Sequence, residues 1–393
     1  MTPTELTQSI KSAAADQGFA LCGVAAAVPP TGISRLQSWL NHGYQGEMQY
    51  LERRCEAYAD PNHVLDGVRS LVMLGMHYAH RSRAHTLTGQ GRIARYALGT
   101  TDYHDTLRQR LRPITDRIHE LAVGCRTRSV IDTAPLLERE FAHLAGLGWF
   151  GKNTMLIHPR QGSYFFLAAI LTDQVLAYDT PFQTDHCGSC TACLDACPTQ
   201  AFPAPGVLDA TRCISYLTIE HRSAVAGERR RDIGDWLFGC DVCQEVCPWN
   251  RFAPGTDVVE LEPVPEWDPI DLRELFWLDD EGFRKRFRKT PLWRAKRRGL
   301  LRNAAIVLGN QGDPGNFSAL GQGLNDPEPL VRAAVAWALG HIQHPETAAT
   351  LQRRLDQETD GDVRTEIRLA LQPTASSLGC NLDEATKANP ERH

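Results

Sequence analysis

The chain has 393 residues, 42% of them hydrophobic and 23% charged, and a net charge of −5. At roughly 100–200 residues per domain that length calls for two or three domains, and the globular balance excludes disorder on a large scale. The longest unbroken apolar run, Tyr164 to Leu171, falls far short of the roughly 20 residues that cross a bilayer, and the start has no basic-then-apolar secretory pattern, so a soluble, cytoplasmic chain with no membrane role is expected.

Glu5 to Ala15 reads as an opening helix, Ser70 to Tyr78 as a short buried strand, and Arg128 to Asp132 as a strand ending in a carboxylate. Leu136 to Ala145 reads as an amphipathic helix and Ser163 to Leu171 as a third strand. These elements predict an α/β domain over residues 1–179, large enough to hold a cofactor. Inside it, Gly146-Leu-Gly148-Trp-Phe-Gly151 satisfies the G-x-G-x-x-G expression, with Asp173 beyond. A dinucleotide site needs a strand before the glycines and a helix after them, to present amides to pyrophosphate. Here a helical pattern precedes and Met155-Leu-Ile157 follows, so that reading is rejected.

Eight of the twelve cysteines lie between Cys187 and Cys247. Clustered thiols in a long cytosolic chain point to metal or redox chemistry rather than to disulfides. The first run is Cys187-x2-Cys190-x2-Cys193-x3-Cys197-Pro198; Cys240-x2-Cys243-x3-Cys247-Pro248 echoes its end, with Cys213 between. In the bacterial ferredoxin spacing the fourth cysteine of a run binds the other cluster. That crossover gives one 4Fe–4S cluster Cys187, Cys190, Cys193 and Cys247, and the other Cys197, Cys213, Cys240 and Cys243. Structural zinc is the alternative for paired C-x2-C motifs, but three overlapping cysteines followed by x3-Cys-Pro fit a zinc ribbon badly. A ferredoxin-like domain over residues 180–252 is therefore expected. Cys22, Cys55, Cys125 and Cys380 are scattered and read as packing thiols.

Residues 253–283 are rich in proline and acidic side chains and read as a linker wrapping back over the body. Between Arg284 and Arg302 stand ten basic residues and no acidic one; the rest of the chain has 32 basic against 47 acidic residues, a net −15. The ordinary account of a charge run is a solvated helix face. Ten like charges repel strongly without an anionic partner, and Phe287 and Trp293 interleave with them as stacking surfaces, which favours nucleic acid. Ala304 to Gly309 recurs 31 positions on as Val335 to Gly340, and a weaker third copy follows at Val363-Arg364 and Ala370-Leu371. Helical units of this period stack as a HEAT-like α-solenoid, placed over residues 284–372, with a flexible tail over 373–393.

The segments Ile131-Asp-Thr-Ala-Pro135, Ala145 to Asn153, Gly162-Ser-Tyr164, Cys213 to Thr218 and Gly239 to Pro248 resemble the epoxyqueuosine reductase family over nearly the whole chain. The resemblance implies an α+β multidomain enzyme with a cobalamin-binding domain, a two-cluster ferredoxin-like domain and a solenoid. It implies an oxidoreductase that reduces the epoxide of epoxyqueuosine in the tRNA anticodon stem-loop to give queuosine, fed by an electron donor the sequence does not identify, and acting as a monomer. Asp132 falls on the proton donor; to serve at neutral pH it needs a pKa well above the usual ~3.9, which burial would provide. Ala94, Leu156 and Leu167 match positions lining the corrin. Ser215, Asp241 and Val242 match segments linking a cluster to the corrin, and Trp293, Arg294, Lys296 and Arg297 match the tRNA-binding face. Tyr58 stands where relatives often carry arginine. Asp102-Tyr-His104 lacks the D-x-H-x-x-G pattern of an axial cobalt ligand, with Leu107 at its last position, so no protein histidine is expected on cobalt. Two rivals remain: a reductive dehalogenase-like corrinoid reductase of a small molecule, and a non-catalytic electron-transfer or RNA-binding scaffold.

Overall fold

The computed structural model describes residues 1–79 and 85–372; the expected tail over 373–393, with Cys380, lies outside the described residues. In chain order the first part runs α1 (Pro3–Asp16), β1 (Leu21–Ala26), α2 (Ile33–Asn41), α3 (Gln49–Arg53), β2 (Ser70–His77), β3 (Gln90–Ile93), α4 (Tyr103–Leu121), β4 (Thr127–Val130), α5 (Glu138–Leu144), β5 (Trp149–Phe150), β6 (Leu156–Ile157) and β7 (Phe165–Thr172). Thr2 and Glu5 form a reciprocal capping box that starts α1.

Four strands form one sheet in the order β1-β2-β7-β4, and every neighbouring pair is antiparallel. Successive side chains of β2 alternate between two helical layers. Val72, Leu74 and Met76 pack with Leu6 and Ile10 of α1 and Leu107 and Leu111 of α4. Leu71 and Met73 pack with Phe141 and Ala142 of α5. The α/β domain expected from the sequence is therefore corrected to an antiparallel α+β sandwich. A strand covered on both faces shows the same continuous apolar run in either direction, so the run carried no information on direction.

The cysteine-rich part adds α6 (Ala192–Asp195), α7 (Ile214–Ile219), α8 (Gly227–Arg230), β8 (Trp236–Phe238) and α9 (Val242–Glu245). Strand β8 lies parallel to β3, whose other edge pairs antiparallel with β9 (Ile270–Asp271). The stretch read as a linker thus supplies a strand, and Trp267, Leu272, Leu275 and Phe276 are buried in one core with the solenoid. It is packed core and not a spacer.

The solenoid comprises α10 (Asp280–Phe287), α11 (Lys296–Gln311), α12 (Phe317–Gly323), α13 (Pro329–Leu339), α14 (Thr347–Gln357) and α15 (Gly361–Ala370). Its sequence repeat has a steric cause. A Cβ on Gly309 would lie 2.8 Å from Ala338 Cα, and one on Gly340 would lie 3.0 Å from Ala370 Cα. The first two copies each end in the glycine that lets the next helix approach. Among the described residues no helix is long and apolar enough to cross a membrane.

Between the repeats, Glu358 is 3% exposed and accepts from Arg332 at 2.7 and 2.9 Å and from Arg354 at 2.7 Å. These bonds, Arg332's above all, hold its carboxyl at a pKa of about 2. A depressed folded pKa gives stability that is present above the unfolded value of 4.5 and is lost as pH falls toward 2. Glu358→Ala, which leaves Arg332 buried without its partner, is expected to cost about 3–5 kcal/mol in chemical unfolding at neutral pH. That deficit relative to the parent should shrink as pH falls from 4.5 toward 2.

Candidate active site and cluster ligands

The short turns and helices of the cysteine-rich part aim two sets of thiols at each other. Cys187, Cys190, Cys193 and Cys247 line one cavity of about 230 Å³, closed by Ile157, His186 and Trp249. Burial, and then the neighbouring thiols of Cys247 and Cys187, push the Cys193 thiol up. Cys240 is pushed up by burial and by Cys213 and Cys197, and Cys243 by burial and by Cys213 and Cys240. Cys247 thus faces the thiols of the first run, and Cys197 and Cys213 lie toward Cys240. Among the described residues no three His, Cys, Asp or Glu close on a single ion.

Backbone amides set the inner thiols. Cys213 accepts from the amides of Ser215 and Tyr216, Cys240 from that of Val242, and Cys197 from that of Ala201 at 3.3 Å. Ser215 and Val242 therefore reach this site through their N–H groups, which favour the more negative, reduced state of a cluster. The buried Asp241 accepts from the Arg95 amide at 2.9 Å, and the Ala94 amide donates to Phe238 O at 2.8 Å. Gly239 has φ +71°, and a Cβ there would lie 2.5 Å from the Ala94 Cβ. Only glycine lets the inner cysteine loop lie flush on the Ala94 turn.

The glycine motif serves this same packing. Gly148, at φ +156°, would put a Cβ 2.3 Å from Ile157 O, so the motif makes a tight β5–β6 hairpin. The hairpin carries Lys152, whose Nζ donates to Gly188 O and Cys190 O at 2.6 and 2.9 Å, and Asn153, whose Nδ2 donates to Cys243 O at 3.1 Å.

Leu156 and Leu167 belong to one apolar cluster with Phe165 and Leu171, and Leu167 is the one position of β7 that is not buried. Ala94 sits in a separate small cluster with Ile214, against which Cys240 and Val242 pack. Nearby polar groups lack partners: Arg95 Nη1 and His104 Nε2 are both buried without a hydrogen bond in the protein. An incompletely covered apolar wall with unpartnered donors at its margin fits a large amphipathic ring such as the implied corrin.

Asp132 follows β4 in the left-handed region, φ 54°, and its amide donates to Glu138 Oε1 at 2.8 Å. Its side chain is 66% exposed, so the chain alone does not supply the burial expected of it. Tyr103 donates to Asp132 Oδ2 at 3.0 Å and lies flat on Phe166, centroids 4.1 Å apart. Burial and Asp132 hold the Tyr103 hydroxyl far above its ordinary range, so it remains a donor. Burial and Asp132 likewise push the Glu138 carboxyl up to about 8. Sequence reasoning missed Tyr103 and Glu138. The available signal was Asp102-Tyr-His104, where Asp102 caps α4 through the His104 amide.

The basic run divides. Arg297 donates to Leu278 O and to Asp326 at 2.5 Å, and Arg302, 1% exposed, donates to Leu217 O, His221 O and Ser223 O. Phe287 is 0% exposed, which corrects its reading as a stacking surface. Arg294 lies over the Tyr103 ring at 5.0 Å and donates to both Asp102 oxygens at 3.2 Å. Lys296 lies over Trp293 at 4.6 Å. The outward cations are Arg284, Lys285, Arg288, Lys289, Lys296 and Arg298.

Residues 59–133 match the family described as epoxyqueuosine reductase QueG, DUF1730. Residues 186–250 match a 4Fe-4S double cluster binding domain and residues 294–372 match HEAT repeats. The chain is 40% identical over 352 residues to the epoxyqueuosine reductase of Pseudomonas aeruginosa, covering 88% of this chain and 96% of that one. It is similar, at TM-score 0.88 and 32% identity over 94% of this chain and 99% of the other, to an epoxyqueuosine reductase crystallised with an epoxyqueuosine-modified tRNA-Tyr stem loop. A Bacillus subtilis epoxyqueuosine reductase, TM-score 0.88 and 31% identity over the same shares, has its catalytic aspartate loop swung out of the active site.

Proposed function

This chain belongs to the epoxyqueuosine reductase family, and from that premise we propose that it reduces the epoxide of epoxyqueuosine in a tRNA anticodon loop to queuosine, with cobalamin and two 4Fe–4S clusters. The observation that carries the reading is the placement of Asp132: an exposed carboxyl held by Tyr103, with Arg294 of the basic strip stacked on that same tyrosine. Proton donor and polyanion-binding strip meet at one aromatic ring.

Cobalamin, when bound, supplies a strongly reducing, nucleophilic cobalt, recharged by single electrons from the clusters. Ala94, Leu156 and Leu167 would give it apolar and backbone contact, while Ser215, Asp241 and Val242 would join it to the inner cysteine set of Cys197, Cys213, Cys240 and Cys243. Cys187, Cys190, Cys193 and Cys247 would hold the outer cluster. Asp132 holds the proton for the departing oxygen at Oδ2, where the Tyr103 hydroxyl orients it. A catalytic aspartate loop that swings, as in the Bacillus subtilis relative, suits a residue held in the left-handed region by one carboxyl, Glu138. The outward cations and Trp293 would carry the RNA. Arg297, paired with Asp326, would serve the strip by holding its shape.

Affinity for an epoxyqueuosine stem-loop should fall steeply with salt. Lys296→Ala is expected to weaken binding and lower the log–log salt slope by about 1, read by fluorescence anisotropy, whereas Arg297→Ala should lower stability first. An affinity indifferent to salt would favour the small-molecule reductase.

A further inference from the structure

The reaction sets a proton demand that one carboxyl does not meet. Converting an epoxide to an alkene with loss of the oxygen as water takes two electrons and two protons, and Asp132 carries one proton at a time. The electrons come from the clusters and their external one-electron donor, so the open question is the second proton. Several groups bear on Asp132. The hydroxyls of Tyr103, Tyr50 and Tyr58 are all held above their ordinary range and keep their protons. Glu138 meets the backbone amide of Asp132, not its carboxyl, through Oε1. Arg294 and Arg139 do not release a proton. The group that turns an unpartnered nitrogen to the carboxyl itself is His104, whose buried Nε2 lies 3.9 Å from Asp132 Oδ2 without a hydrogen-bond partner.

We infer that His104 reloads Asp132 with the second proton, passing it from Nε2 to Oδ2, and is itself recharged from solvent. The reading rests on Asp132 as the proton donor. Nδ1 lies 2.8 Å from Asp102 Oδ1, the carboxylate that caps α4, and 2.7 Å from the Arg294 guanidinium, which comes from the turn before α11 and also donates to both Asp102 oxygens. With Nδ1 held by these two neighbours, Nε2 is the nitrogen left to pass a proton toward Asp132. The Tyr103 ring stacks on the imidazole at 4.2 Å and fixes its plane. Asp102 orients the ring, Arg294 restrains Asp102, and the acidic end of the relay is Asp132. A gap of 3.9 Å closes with a small movement of the Asp132 loop, of the kind that catalytic hydrogen bonds make on binding substrate.

The test uses the anaerobically reconstituted holoenzyme with both clusters and cobalamin, acting on an epoxyqueuosine stem-loop. His104→Gln is expected to lower kcat by about 100-fold with KM unchanged and cluster absorption intact. It should also change the dependence of kcat on pH. His104→Gly with added imidazole should recover rate in proportion to the imidazole concentration, which a misfolded or merely structural variant would not do. A parental rate and pH profile in His104→Gln, or a slow His104→Gly that keeps the parental pH profile and ignores imidazole, overturns the relay. Asp132→Asn is run alongside. If it stays active, the reading of Asp132 fails and the relay with it; if it is inactive while His104→Gln is normal, only the relay fails.

Discussion

Asp132→Asn is expected to lower kcat for epoxide reduction by about 10²–10⁴-fold, the range for a lost general acid. KM for the stem-loop should hardly move. Asparagine is nearly isosteric and still accepts from Tyr103, so the substitution removes the transferable proton without emptying the site. The cluster absorption should be unchanged, because the cysteine sets lie on other segments and Asp132 is bonded to Tyr103 and Glu138 beside His104. Tyr103→Phe makes the graded comparison. It leaves the proton on Asp132 but removes the 3.0 Å bond that orients it, so its loss should be smaller than that of Asp132→Asn. A variant lacking the proton but turning over at the parental rate would leave a scaffold or electron-transfer role as the better account of the chain.

The second large effect concerns how the cysteines are shared. The geometry places Cys247 with Cys187, Cys190 and Cys193 around one cavity, although it ends a separate run. A double variant Cys190→Ala/Cys247→Ala therefore damages one site twice and should retain about four of eight irons as a single 4Fe–4S cluster. Cys190→Ala/Cys197→Ala, taken from one continuous run, damages both sites and should retain neither cluster. Iron analysis with low-temperature electron paramagnetic resonance of the reduced proteins distinguishes them, and the opposite ranking would show that pairing follows sequence order. Turnover should be lost in both, since each removes a link in the electron path.

The double-cluster domain over residues 186–250 was legible from spacing: x2 turns bring thiols to one face and the x3-Cys-Pro step sends the last one away. The solenoid was legible for a similar reason, since its first two copies end in a glycine, Gly309 and Gly340, where the next helix crosses. What the sequence hid was pairing across long separations. Arg297 and Arg302 read as part of an unpaired basic run, yet one is bound to Asp326 and the other to carbonyls of the Leu217–Ser223 segment. Charge counting along the chain takes no account of partners brought in by folding. Strand direction was hidden too, because a strand buried on both faces reads alike in parallel and antiparallel sheets. Around Asp132 the proposed site was only partly legible. The carboxylate at a strand end was named from the resemblance, but Tyr103 and His104 lie on a helix 29 and 28 positions earlier, and only the α4 cap at Asp102 hinted that this turn is held in place.

The most direct measurement is the mass of the modified nucleoside. Anaerobically reconstituted protein, with cobalamin and a chemical reductant, is incubated with tRNA carrying epoxyqueuosine, and the digested nucleosides are weighed by mass spectrometry beside a reaction without cobalamin. Loss of one oxygen that depends on cobalamin is the predicted result. Unchanged epoxyqueuosine, with clusters and corrin confirmed in the same sample by their spectra, would contradict it.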